Sequence, residues 1–194
     1  NFVSGRVSGI ISVHPQLDAH TYYVKAKGLP LVFCGHMLPD RGDATTISLN
    51  YDKTLTEAAD YLSSSGYTDI YLLSDDRIFP GTSITEYLIK HLEGTAKFHA
   101  VSASKEKIFS IFYRIFLKNS GKIGIISLCQ TYIDVVREAA AMLGKQADDT
   151  ISIIAFKGES WCQYGEQLLP CIEYPGKKMG ETVVSLLLKQ IEAG

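Results

Sequence analysis

The sequence lacks two features that would tie it directly to a membrane or to nucleic acid. No apolar run among its 194 residues approaches the roughly 18 to 20 that a membrane helix needs. It also has no excess of basic charge, because 19 Lys and Arg face 21 Asp and Glu, for a formal net charge of -2 and a pI near 6.2. Since a phosphate backbone attracts clustered positive charge, we expect this segment itself to bind neither a membrane nor DNA.

Cysteine is scarce and widely spaced. The four cysteines, Cys34, Cys129, Cys162 and Cys171, form no CxxC pair. Three stand in apolar settings such as LVFCG, which favours buried free thiols in a reducing cytosol, with a disulfide pair as the second alternative. The first residues also lack the basic-then-apolar layout of a secretory signal. We therefore expect a cytoplasmic protein.

Motifs for catalysis are absent as well. Neither GxGxxG nor GxxxxGK[ST] follows an apolar run, and no GxSxG elbow occurs. The five histidines show neither HExxH nor any close spacing. We therefore expect no enzyme activity, no cofactor and no metal site.

The chain does contain short apolar runs that alternate with segments of helical period, which predicts parallel strands joined by crossover helices. Continuous apolar runs are typical of strands that are covered on both faces. The prediction is a doubly wound α/β fold with two parallel sheets, one built from the runs starting at Val7, Leu31 and Thr46, the other including those starting at Lys97, Ile123 and Ile151. The predicted strands are residues 7–13, 31–34, 46–49, 69–73, 97–101, 123–127 and 151–156.

Helix boundaries are predicted from capping residues and glycines. The segment 52–65 ends before Gly66, and Ser104 opens a later helix. A last helix follows Pro175. Two capping boxes are predicted to open the remaining helices, which end near Gly94 and Gly144; they pair Ser83 with Glu86 and Thr131 with Asp134.

Two segments contain motifs that are more specific than apolar periodicity. In ISLNYDKTLTEAADYLSSSGYTDIYLLS, residues 47–74, a predicted strand ends at Leu49-Asn50, a predicted helix follows, and Gly66-Tyr67 lead into the next strand. This segment resembles one in the LacI/GalR family of bacterial transcription regulators, in which Asp-Asn ends the strand and a Gly-His turn follows the helix. LPCIEYPGKKMGETVVSLLLKQIEAG, residues 169–194, resembles the closing motif of a strand, a proline and a Met-Gly pair, with Pro175, Met179 and Gly180 matching.

The resemblance implies a periplasmic-binding-protein-like fold of two doubly wound lobes. Residues 1–50 and 172–194 would be parts of the first lobe, and residues 51–171 would be the second. The sequence starts at what corresponds to the family's third strand, so we expect an incomplete first lobe and a DNA-binding headpiece outside this chain.

The resemblance also implies a ligand-sensing and dimerisation domain. A small-molecule effector held in the cleft between the lobes would control DNA binding by the headpiece of a homodimer. The alternative is a solute-binding protein of a transport or chemoreception system with the same fold. A flavodoxin-like or nucleotide enzyme is disfavoured by the missing phosphate loop.

The effector site is predicted at the carboxyl ends of strands, in loops beginning at His14, Gly35, Ser74, Leu128 and Lys157. The family's polar groups are partly replaced there, with Cys129 and Gln130 at an Asn-Asp pair and Lys157 at an aspartate. The reversed charge at Lys157 suggests an anionic or sugar-derived effector. Each of these residues has an alternative that stays open. For Lys157 and Trp161, the alternative is a solvated lysine and a tryptophan packed between lobes. For Gln130, it is a helix-capping or surface role. The predicted ligand-binding residues are His14, His36, Asp75, Cys129, Gln130, Lys157 and Trp161.

Overall fold

The computed structural model describes residues 7–13, 28–35, 45–74, 82–145, 150–157, 163–164 and 167–193. The chain divides into two compact units, one made of Asn1–Leu49 with Pro175–Gly194 and the other of Asn50–Tyr174. It passes from the first unit to the second and returns once.

Ten strands and five helices lie in the described residues. The strands are β1 (Ile10–Ser12), β2 (Leu31–Gly35), β3 (Thr45–Ser48), β4 (Asp69–Ser74), β5 (Lys97–Ser102), β6 (Ile123–Ser127), β7 (Ile151–Lys157), β8 (Gln163–Tyr164), β9 (Gln167–Leu168) and β10 (Cys171–Glu173). The helices are α1 (Tyr51–Ser64), α2 (Thr82–His91), α3 (Lys105–Lys118), α4 (Gln130–Ala141) and α5 (Gly176–Ala193). The predicted α/β class is confirmed.

The first unit packs one helix against a small parallel sheet of order β1-β2-β3. Helix α5 buries Met179, Val183 and Leu187, which recur every four residues and so share one face. Val183 and Leu187 form a core cluster with Val32 of β2. Gln190 donates a hydrogen bond of 2.7 Å from its amide to the hydroxyl of Thr45, which ties the far end of α5 to β3.

The second unit contains a five-stranded parallel sheet of order β10-β7-β6-β4-β5. The predicted separation of the strands into two parallel sheets is confirmed. Strand β10 pairs with β7, so the first residues of segment 172–194 belong to this unit. Strands β8 and β9 form a separate antiparallel pair.

Apolar residues cover both faces of this sheet, as the continuous apolar runs predict. Tyr71, Leu73, Ile125 and Ile153 face α3 and α4 in one core cluster. The alternate strand residues face α1 and α2. On that second face the buried side chains include Ile70, Leu72, Phe98 and Ile126 from the strands and Leu55, Leu62, Ile84 and Leu88 from the helices.

The glycines that were predicted to follow helix ends are confirmed in that role, whereas the two predicted capping boxes are wrong. Gly66, Gly94 and Gly144 have φ of 83°, 84° and 67°, a region that glycine enters without a steric penalty. Helix α2 begins at Thr82 and α4 at Gln130, so the predicted cap residues Ser83 and Thr131 lie inside the first turns. The N-cap of α4 is Cys129, whose side chain makes no capping hydrogen bond.

No disulfide joins the three described cysteines, and they are not uniformly buried. Cys34 and Cys129 are partly buried and Cys171 is exposed. The expectation of a buried thiol is wrong for Cys171, because β10 is an edge strand of the five-stranded sheet. Cys162 lies outside the described residues. Within the described ranges, none of the helices combines the length and apolar character required to cross a membrane.

Lys145 closes the carboxyl end of α3. Its ammonium group donates hydrogen bonds to the carbonyls of Phe116 at 2.6 Å and Asn119 at 2.7 Å. A cation at this position satisfies carbonyls that the helix leaves unpaired and opposes the negative end of its dipole.

We expect Lys145→Met to lower the free energy of unfolding by roughly 1 to 2 kcal/mol, measured by urea denaturation. The control is Lys118→Met, which changes an exposed lysine on the same helix; equal effects of the two would contradict this role.

Candidate functional site

The carboxyl ends of β4 and β6 define a candidate binding crevice. The chain leaves β4 for its neighbour β5 on one side, then returns to β6 on the other side of β4. Helix α2 follows β4 on one face of the sheet, and α4 follows β6 on the opposite face. The two connections therefore diverge, and the gap between the strand ends is where open α/β sheets bind ligands. We call this place the switch-point crevice; Ser74 and Ser127 are the last residues of its two strands.

Both of these terminal serines are buried. Ser127 is 1% exposed and its hydroxyl donates a 2.8 Å hydrogen bond to the carbonyl of Cys129. Ser74 is 0% exposed, and its hydroxyl has no hydrogen-bond partner in the part of the chain that the structure describes. The two hydroxyls lie at nearly the same level of the sheet, since Ser127 is in register with Leu73. The difference in hydrogen bonding between the two serine hydroxyls is therefore not caused by a difference in burial.

Cys129 and Gln130 form the side of the crevice at the start of α4. Cys129 is the N-cap and its carbonyl accepts bonds from both Ser127 and the amide of Tyr132. Gln130 is the first helical residue, and both side chains are partly buried. The Tyr132 hydroxyl donates a 3.0 Å bond to the carbonyl of Ala103, which anchors this turn beside the end of β5. The positive end of the α4 dipole is thus held at the crevice.

An aromatic pair stands at the neighbouring strand end. Tyr51, at the start of α1, stacks on Phe156 with ring centroids 5.9 Å apart and is only 4% exposed. Burial raises the pKa of the Tyr51 phenol well above its usual range, and Tyr174 and Cys129 raise it further. The raised pKa keeps this phenol neutral to a higher pH than an exposed tyrosine.

Lys157 is the last residue of β7, and its register partner on β10 is Glu173. Neighbouring strands lie about 4.8 Å apart, so a carboxylate-bearing residue adjoins Lys157 at the same sheet edge.

The structure places Cys129 and Gln130 beside the crevice and Lys157 at a strand end of the same sheet. His14, His36, Asp75 and Trp161 lie outside the described residues. Within the described ranges, the titratable side chains form no group of three or more that could hold a metal ion.

Sequence reasoning did not single out Ser74, Ser127 or Tyr51 for this site. The sequence predicts a binding loop that begins at Ser74, with Asp75 as its ligand-binding residue. A usable signal was present, because a hydroxyl directly ends each of the apolar strands DIYLLS and IGIIS.

Comparison with solved structures finds similar folds that cover nearly all of the chain. It is similar to a LacI family transcriptional regulator from Enterococcus faecalis V583 with bound ribose (19% identity, 98% of this chain and 72% of that one, TM-score 0.75). It is also similar to a regulator of the same family from Arthrobacter sp. FB24 in complex with lactose (17%, 97% and 71%, TM-score 0.77). An uncharacterised protein from Actinobacillus succinogenes matches at 21% identity over 98% of this chain and 73% of that one, with a TM-score of 0.76.

No protein-family model matches the chain, and no curated protein sequence does. Most of the solved structures that it resembles are LacI-family transcriptional regulators. The chain has the periplasmic-binding-protein-like α/β fold that these regulators share. The resemblance to the LacI/GalR effector-binding domain is thus confirmed at the level of the fold.

Proposed function

We propose that this chain is the ligand-sensing and dimerisation domain of a LacI/GalR-like transcription regulator, and that it binds a sugar-derived effector at the switch-point crevice. The observation that carries the proposal is the structural match over nearly the whole chain to regulators of this family, two of which were solved with ribose or lactose. The same match favours the regulator over the alternative of a transport binding protein.

The chemistry of the crevice supports a polyhydroxyl ligand. Sugars need their hydroxyl groups paired when water is removed, and serine, glutamine and neutral tyrosine supply both donors and acceptors. Gln130, which is partly buried, provides such a group at the start of α4, and the stacked rings of Tyr51 and Phe156 add apolar surface at the neighbouring strand end. An acidic substituent on the sugar would be accommodated near Lys157, the last residue of β7.

The regulatory role places DNA binding outside this chain. With a net charge of -2, these residues supply no attractive field for a phosphate backbone. DNA would be bound by a headpiece carried elsewhere in a cytoplasmic homodimer, and the effector would act by favouring one arrangement of the dimer over another. Binding of this kind needs no reaction, and the non-enzymatic role agrees with the regulators that share the fold.

The test is ligand titration of the protein with Gln130→Ala as the informative variant. We expect D-ribose, lactose or D-ribose 5-phosphate to raise the melting temperature and to give a saturable heat in calorimetry. Gln130→Ala should weaken that binding by about tenfold or more, because a partly buried hydrogen-bonding group is lost.

Gln190→Ala is the matched control for this experiment. It removes an amide that bonds Thr45 in the first unit, and should leave the affinity unchanged. Absence of binding by all three compounds would contradict the proposal of a sugar-derived effector.

A further inference from the structure

One hydrogen bond joins two of the segments that leave the carboxyl ends of the five-stranded sheet. The hydroxyl of Tyr132, in the first turn of α4, donates a 3.0 Å bond to the carbonyl of Ala103, which directly follows β5. Both residues are buried, with 3% and 7% of their surface exposed. Because water has little access to this bond, breaking it would leave a buried carbonyl without its donor. The two segments are therefore firmly connected.

The bond spans the carboxyl end of β4. In the sheet order β10-β7-β6-β4-β5, strand β4 lies between β6, which leads into α4, and β5, which leads into α3. Tyr132 and Ala103 belong to the same core cluster as Leu73 of β4. Since neighbouring strands lie about 4.8 Å apart, the ends of β5 and β6 are separated by roughly 10 Å. The side chain of Tyr132 bridges that distance on the face that α3 and α4 cover.

The turn that Tyr132 holds also carries Gln130. The N-cap of α4 is Cys129, whose carbonyl accepts bonds from the Ser127 hydroxyl at 2.8 Å and from the Tyr132 amide at 3.2 Å. The side chain of Cys129 makes no capping hydrogen bond. A first turn without a side-chain cap frays more readily than a capped one. The Tyr132 hydroxyl compensates for the missing cap with a tertiary contact two residues after Gln130.

We propose that Tyr132 is a positioning residue for the effector. Its hydroxyl fixes the first turn of α4 to the segment after β5, so that Gln130 is held in its binding position before the ligand arrives. This inference rests on the proposed function, and Tyr132 acts through Gln130, since its own hydroxyl is buried and already bonded to Ala103. A group that is ordered in advance loses less conformational entropy on binding, which raises the affinity without a new contact.

The first arm of the test is amide hydrogen exchange of the free protein, measured by mass spectrometry of its peptides. Tyr132→Phe keeps the ring and removes only the hydroxyl. We expect exchange in segments 103–108 and 129–135 to become about threefold faster or more, because both lose their connection. Unchanged exchange would overturn the proposal, since the turn would then be held without the hydroxyl.

Tyr113→Phe is the matched control for this arm. It deletes the hydroxyl of a partly buried tyrosine on α3, whose ring stacks on Phe109 and lies outside the contact with Ala103. Exchange in segment 129–135 should stay as it is in the unmodified protein. An equal acceleration in Tyr113→Phe would contradict a specific role for the Tyr132 hydroxyl.

The second arm is a double-mutant cycle, read by calorimetry with D-ribose, lactose and D-ribose 5-phosphate. Tyr132→Phe should weaken binding of whichever compound the unmodified protein binds by about fivefold. Because Tyr132 acts through Gln130, the double variant Tyr132→Phe/Gln130→Ala should bind no more weakly than Gln130→Ala alone. Losses that multiply in the double variant would overturn the positioning role, since Tyr132 would then affect binding independently of Gln130.

The possible failures are distinguishable. If the unmodified protein binds a sugar and Tyr132→Phe binds it equally well, the role of Tyr132 is overturned while the proposed function stands. If the unmodified protein binds none of the three compounds, the proposed sugar-derived effector is contradicted and the positioning role is overturned with it.

Discussion

Replacing Phe112 with alanine is expected to lower the free energy of unfolding by about 3 to 5 kcal/mol. Phe112 lies in the middle of α3 and is 0% exposed. Its ring packs edge-on against Tyr71 of β4, with centroids 5.8 Å apart, and lies 5.7 Å from the ring of Phe116. Truncation removes the transfer free energy of the ring and leaves a cavity between the helix and the sheet that a rigid strand cannot fill.

The measurement is urea denaturation followed by circular dichroism, with the slope compared as well as the midpoint. Leu117→Ala is the matched control, because Leu117 lies on the same helix but its side chain is 63% exposed. We expect that control to change stability by less than about 0.5 kcal/mol. Similar losses in the two variants would mean that Phe112 does not occupy the core of this unit.

The second large effect is expected at Gly124, in the middle of β6. A Cβ atom at this position would lie 2.9 Å from Cδ1 of Leu62, 3.1 Å from its Cδ2 and 3.2 Å from its Cγ. Leu62 is itself fully buried on α1, so its whole side chain would have to move. We expect Gly124→Val to destabilise the protein by about 1 to 3 kcal/mol, since overpacking forces side chains and backbone out of their preferred positions.

A double-mutant cycle tests this cause. Leu62→Ala alone should cost about 2 to 5 kcal/mol, because it opens a cavity. In the double variant the valine would fill the space that Leu62 leaves, so the combined loss should be smaller than the sum of the single losses. Strict additivity would show that Gly124 is required for a reason other than the close approach of α1.

Local elements of the fold could be predicted because their causes are local. Strand β6 occupies residues 123–127 as predicted, since a short apolar run between polar residues suits a strand that is buried on both faces. Helix α5 follows Pro175, as predicted, and buries Met179, Val183 and Leu187 on one face. The glycine at each of three helix ends adopts positive φ, where other residues pay a steric cost.

Helix starts were harder to predict. Ser83 and Thr131 have the side chains that caps prefer, but α2 and α4 begin one residue before them. Side-chain capping stabilises a helix by only about 1 kcal/mol. The end of the preceding strand and the packing of the helix on the sheet decide where the first turn forms, and these depend on distant residues.

The candidate site also combines features that the sequence predicts with features that only the tertiary structure sets. In the sequence, a serine directly follows the predicted strand 69–73 and another ends the predicted strand 123–127, and nothing local distinguishes the two serines. The sequence alone determined that a serine stands at the carboxyl end of each of these two strands. It also determined that Gln130 lies close after the second of them. Only the tertiary structure decided that β4 and β6 are neighbours, that the Ser127 hydroxyl bonds the carbonyl of Cys129, and that Ser74 lies on the opposite face of the sheet with no hydrogen-bond partner among the described residues. The physical reason is that strand order and register are set by contacts between residues far apart in the chain, whereas periodicity reports only which side chains must be buried.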